Sequence, residues 1–95
     1  MRASEDSLAS APPGITVRCR FFARFAEVLG RESHELTLRP PATVGDAVAA
    51  LRSTLAQGAQ LPPSPLTAVN CEHASRDRFL VDGDELALLP PLAGG

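Results

Sequence analysis

Apolar and polar positions alternate strictly at the start of the patterned region. Ile15, Val17, Cys19 and Phe21 share one side, while Thr16, Arg18 and Arg20 share the other. A period of two predicts a strand with one buried face. Phe22 has the parity of the arginines, so it points away from the core unless it already belongs to the turn that follows. Residues 23–29 (ARFAEVL) read as a short helix or turn, closed by Gly30 at a position suited to left-handed backbone. Alternation returns over 33–38, with Leu36 and Leu38 inward and Glu35 and Thr37 outward, giving a second strand antiparallel to the first. Arg39-Pro40-Pro41 ends it, because proline cannot donate to a ladder.

The period then changes. Val44, Ala47, Val48, Leu51 and Leu55 recur at i, i+3, i+4, i+7 and i+11, an apolar stripe at helical spacing. Thr43 stands ahead of it with Asp46 three residues on, the arrangement of a capping box. Together they predict a helix over about 44–56. Residues 57–65 hold Gly58 and three prolines and read as a loop. Residues 66–71 (LTAVNC) predict a third strand with Val69 and Cys71 inward. The stretch 75–81 is irregular, with Phe79 or Leu80 anchoring it to the core. Asp82-Gly83-Asp84 has turn chemistry, and the last strand, 85–89, sets Leu86 and Leu88 on one face and Ala87 and Leu89 on the other. The order is β, short α, β, α, β, turn, β. One long helix covering one face of a four- or five-stranded mixed sheet buries these stripes, with the two terminal strands parallel at the centre. That arrangement is α+β, the β-grasp or ubiquitin-like fold.

Composition narrows the function. Ninety-five residues with 44% apolar content make one domain. Residues 1–14 (MRASEDSLASAPPG) have the composition of a disordered arm, leaving a domain over 15–91 and a tail over 92–95. Arg2, Glu5 and Asp6 break any signal-peptide pattern, and no stretch is long and apolar enough to span a membrane, so the chain is read as cytoplasmic. Net charge is −2, without Tyr, Trp or a basic cluster, which argues against a nucleic-acid surface. Cys19 and Cys71 fall on faces expected to be buried, where cysteine behaves as a small apolar residue. His34 and His73 lack ligand spacing, so no metal is expected. Asn70 is expected to satisfy backbone groups, and Arg18 and Arg20 to form a solvated face. All nine basic residues are arginine.

The chain ends Leu92-Ala93-Gly94-Gly95 after Pro90-Pro91. Proline stiffens the stem, and glycine, lacking Cβ, slims the tip enough to enter a narrow channel. On its own such an end is ordinary for a frayed terminus.

Phe21-Phe22-Ala23 after the first strand, Ala42-Thr43-Val44-Gly45-Asp46 opening the helix and Ala68-Val69-Asn70 in the third strand resemble the MoaD/ThiS sulfur-carrier family. So does Asp82-Gly83-Asp84-Glu85 followed by Leu88-Leu89-Pro90-Pro91-Leu92-Ala93-Gly94-Gly95. The resemblance covers about residues 15–95, and the Pro-Pro pair is more similar to the molybdopterin synthase small subunit than to the thiamine carriers. It implies that an E1-like adenylyltransferase of the MoeB/ThiF type activates the Gly95 carboxylate with ATP, that a thiocarboxylate follows, and that sulfur passes to a pterin precursor held by the large synthase subunit (MoaE type). Gly94, Ala93 and Leu92 would thread the partner's channel, and Pro91, Pro90, Leu89 and Phe22 would belong to the docking surface. A third, usually apolar position of that surface aligns with His73, a departure that bears on partner choice. The carrier would bind no cofactor and have no autonomous active site, acting as the sulfur-donating subunit of a complex. The loop at 57–65 is shorter and richer in proline than in many members, which implies a missing second helix. Other readings are a carrier for thiamine, cysteine or tRNA thiolation, a ubiquitin-like modifier, or a non-catalytic β-grasp binding module.

Overall fold

Ile15, Val17, Cys19 and Phe21 are buried and the residues between them exposed, so the first alternation is a strand with one wet face (β1, Ile15–Phe21). A computed structural model describes residues 14–91; the expected arm, Gly14 apart, and the expected tail lie outside them. The chain continues through α1 (Arg24–Leu29), β2 (Ser33–Leu38), α2 (Val44–Thr54), a single 3-10 turn (Gly58–Gln60), β3 (Leu66–Val69), β4 (Glu72–His73) and β5 (Glu85–Leu89). Strand order is β2-β1-β5-β3-β4. β1 and β5 run parallel, while β1–β2, β3–β5 and β3–β4 are antiparallel. This is a five-stranded mixed β-grasp sheet with one main helix.

The helix begins where its cap dictates. The Thr43 hydroxyl accepts from Asp46 N–H at 3.1 Å and the Asp46 carboxylate accepts from Thr43 N–H at 2.9 Å, satisfying two donors left free by helix geometry. Val44, Ala47, Val48 and Leu51 bury the stripe. They meet Val17, Cys19, Phe21, Val69, Leu86 and Leu88 in one core cluster. The helix stops two residues short of the expected end, with Leu55 as an extended cap. No α-helix occupies 57–65; Gly58 instead lies so close to α2 that a Cβ there would land on the Leu51 carbonyl oxygen.

Two expectations are corrected. The third strand ends at Val69, because Asn70 and Cys71 adopt φ of 50° and 72° and form the two-residue turn of a hairpin that pairs Val69 with Glu72. Positive φ at both positions matches strand twist in such turns. The parity that placed Cys71 inward stops at the turn, and Cys71 is exposed. The hairpin also adds β4, a separate strand absent from the expected order. In the irregular stretch Leu80 is the core anchor, while Phe79 is 63% exposed.

Candidate functional site

The sheet face turned away from α2 carries one set of exposed apolar groups. Phe21 pairs with Leu88 across β1 and β5, so the next residues, Phe22 and Leu89, lie level with each other. Leu89 pairs with Leu66 of β3. These three form an apolar row, with Phe22 39% and Leu66 45% exposed and Leu89 half-buried. One step down the sheet comes the row Arg20, Ala87, Ala68 and His73, set by the pairs Arg20–Ala87, Ala87–Ala68 and Ala68–His73. Below that the face is ionic. Arg20 meets Glu85 at 2.8 Å, and Arg18 lies 3.6 Å from Glu35. Arg20 also leans over the Phe22 ring, 5.5 Å from its centroid, a favourable cation–π placement. The face therefore grades from charged to apolar toward the end where β5 leads into Pro90 and Pro91.

Ala23 makes the apolar end possible. Its φ of 52° and ψ of −126° turn the chain sharply after Phe22, and Phe25 N–H donates back to the Phe22 carbonyl at 3.1 Å. Few non-glycine residues adopt positive φ. The turn leaves Phe22 on the open face and sends Phe25 into the core.

The hairpin beside the site is fixed by Asn70. Its amide donates to Asp84 Oδ1 at 2.9 Å, and its carbonyl accepts from Glu85 N–H at 3.0 Å. Asp84 is buried and also accepts from Val81 N–H at 2.8 Å. Asn70 thus has the backbone-satisfying role expected of it, and it locks β3 to the start of β5.

The described site positions fall together. Phe22 and Leu89 have the outward parity read from the sequence, and His73 is exposed at the edge of the same face. Pro90 is half-buried and Pro91 exposed directly beyond β5. Leu92, Ala93, Gly94 and Gly95 lie outside the described residues. Leu66 and Ala68 were not picked out from sequence, although the parity opposite to Val69 carried the signal. Phe79 and Val81, 63% and 62% exposed, form a second apolar pair beside the start of α2. Burial pushes the Cys19 thiol up to about 12, because desolvation penalises the thiolate. Cys19 is fully buried within the core cluster, where it packs as a small apolar residue.

A five-stranded mixed sheet in the order β2-β1-β5-β3-β4, covered on one face by one main helix, defines a ubiquitin-like domain. Residues 19–95 match the ThiS family, and the chain belongs to that family of ubiquitin-like sulfur carriers and modifiers. Among solved structures it is similar to the HVO 2177 protein of Haloferax volcanii, with 28% identity and a TM-score of 0.73 over 87% of this chain and 89% of that one. It is similar to small archaeal modifier protein 1 of H. volcanii, with 31% identity and a TM-score of 0.65 over 82% of this chain and 99% of that one. It also shares its fold with a protein in the complex of subunits 1 and 2 of molybdopterin-converting factor from Helicobacter pylori, at 24% identity and a TM-score of 0.61 over 85% of this chain and 100% of that chain. No helix among the described residues is long and apolar enough to cross a membrane.

Proposed function

We propose that this protein is a sulfur carrier that serves as the small subunit of a molybdopterin synthase, with Gly95 as the group that is activated. The observation that carries the reading is the alignment of Phe22, Leu89 and Leu66 at the end of the sheet from which Pro90-Pro91 lead to Gly94-Gly95. A partner seated on that row receives the tail at its own active site. Contiguous exposed apolar groups mark such partner surfaces.

The chemistry divides between the proteins. A carboxylate is a poor electrophile because its charge is delocalised, so an E1-like enzyme must convert it with ATP to an acyl adenylate. Sulfur then displaces AMP, and the resulting thiocarboxylate is the donor to a pterin precursor in the large subunit. The carrier's part is to dock, to hold the stem extended through Pro90 and Pro91, and to insert Leu92, Ala93 and Gly94 as an extended segment whose backbone is gripped by the partner. The likeness to the subunit 1–subunit 2 complex supports this partner class. Reconstitution with an E1-like enzyme, ATP, a sulfur source and a large synthase subunit tests it. Dithiolene formation on the pterin, abolished by deleting Gly94-Gly95, is the expected result. A charged carrier that no large subunit binds would contradict the molybdopterin assignment.

The likeness to a small archaeal modifier favours a second reading, in which Gly95 is joined to lysines of other proteins. Conjugates of higher mass in cell extracts, lost with Gly95, would establish it. A carrier for thiamine, cysteine or tRNA thiolation would charge Gly95 equally well but pass its sulfur to a different acceptor.

A further inference from the structure

A cavity of about 190 Å³ lies between the start of α2 and the β3–β4 edge of the sheet. Val44 and Val48 of α2, Leu66 and Ala74 of the edge, and Pro63 and Pro65 of the connecting loop wall it. Both prolines have fixed φ, which stiffens that side. Volume decides what can enter. A cavity of about 150 Å³ holds a benzene-sized group, whereas a drug-sized ligand takes about 300 Å³ or more. One large side chain fits.

The lip is cationic. Arg76 lines the cavity together with His73, Ser64 and Ser75, and no Asp or Glu among the described residues does. Arg76 Nη1 donates to Ser64 Oγ at 3.0 Å, which ties the guanidinium to the proline loop and uses one of its five N–H donors. Gly45 makes room for it, since a Cβ there would stand only 3.2 Å from Arg76 Nε and Nη2. The helix start offers an anion nothing, because Val44 and Gly45 N–H donate to the Arg78 and Arg76 carbonyls. Attraction for an anion therefore comes from the guanidinium. The edge adds backbone groups. Among the described residues β4 is the last strand of the sheet. Val69 pairs with Glu72, and Ala74 N–H donates to Thr67 O at 3.0 Å, so residues 72 and 74 bond inward. Between them His73 directs its N–H and C=O away from β3.

We propose that this edge is a second docking site, for an extended acidic segment of a partner protein. The segment pairs with the His73 backbone, drops one aliphatic side chain into the cavity and sets a carboxylate on Arg76. Strand addition of this kind draws affinity from main-chain bonds and specificity from a side-chain pocket. The inference makes no use of Gly95 and goes beyond the proposed function. Charge supplies a sharp contrast. The chain carries −2 overall, so long-range attraction favours a basic partner, and only a local cation at the cavity reverses that order.

The test is a titration of the nitrogen-15-labelled full chain with the peptide acetyl-Asp-Asp-Leu-Asp-Asp-amide, followed through backbone amide shifts. Shifts are expected at Gly45, His73, Ala74, Ser75 and Arg76, and none at Phe22 or Ala87. Alanine in place of the peptide's leucine is expected to weaken binding at least about fivefold, through lost apolar burial. Lysine in place of its four aspartates is expected to weaken binding too, despite the negative charge of the chain. Arg76 is exposed, and Arg76→Gln is expected to weaken the acidic peptide about two- to fivefold, as loss of a partly exposed ion pair does. The same variant is expected to lose the preference for aspartate over lysine, while its amide spectrum reports that the fold is kept. No shifts, shifts centred on Phe22, a lysine peptide that binds as well, or an alanine peptide that binds equally would each overturn the proposal. So would shifts at the same amides that grow with protein concentration alone, which would assign the edge to a second copy of the chain. A failure to charge Gly95 would strike the proposed function and leave all these outcomes untouched.

Discussion

Cys19 and Cys71 are one residue type in opposite settings, and a thiol reagent will tell them apart. Cys19 is buried in the core with its thiol pushed up to about 12 by desolvation, while Cys71 sits exposed in the β3–β4 turn. At neutral pH iodoacetamide is expected to label Cys71 in the native protein and Cys19 only after unfolding; equal native labelling would contradict the buried assignment. Linkage follows the same asymmetry. The unfolded thiol ionises from its ordinary value of 9.0, whereas the folded one keeps its proton to about 12. The contribution is whole below pH 9.0 and is lost as pH rises above it, at no more than about 1.4 kcal/mol per pH unit. Urea midpoints above pH 9.0 should fall more steeply for the wild type than for Cys19→Ala. Gly58 is the other decisive single position. Because a Cβ would strike the Leu51 carbonyl, Gly58→Ala is expected to cost about 2 kcal/mol or more in urea unfolding, far beyond an ordinary surface change.

Among the elements, α2 was the most legible, because everything that defines it is local: Thr43 and Asp46 close their own box and the stripe lies within three turns. Thr43→Ala is expected to lower stability by about 0.5–2 kcal/mol, read from chemical denaturation. β1, β2 and β5 were equally plain, since alternation survives along their whole length. Strand β4 was hidden for the opposite reason. Two residues carry no period, and Glu72 and His73 become a strand only because β3 offers unpaired edge groups and because Asn70-Cys71 turns the chain onto it. Phe79 and Leu80 show the same limit. In an irregular segment nothing local says which neighbour faces inward, and the choice of Leu80 is made by its bond to Ala42 O at 2.8 Å and by the bridge from Thr43 to Phe79. Of the candidate site, Phe22 and Leu89 could be read by parity; the joining of Leu66 to them needed the β3–β5 register.

At the scale of the whole molecule, the helix fills one face of the sheet and leaves the other graded toward its exit. That division buries the core under α2 and leaves an apolar row exposed on the outer face, the row that the proposed function assigns to docking. Phe22→Asp is therefore expected to leave the fold intact and weaken binding of the E1-like enzyme or large synthase subunit at least about tenfold, as loss of a central aromatic anchor does. Phe79→Asp, beside the start of α2 and off this face, should leave titration calorimetry of the same complex unchanged. Equal effects from the two would remove the outer sheet face from the account. The central claim, that the last carbonyl of the chain is its working group, is most directly tested by the mass of the C-terminal peptide after incubation with an E1-like enzyme, ATP and a sulfur source. We predict a gain equal to one oxygen replaced by sulfur, confined to Gly95. An unchanged C-terminal peptide from a reaction in which the same enzyme charges an authentic carrier would contradict it.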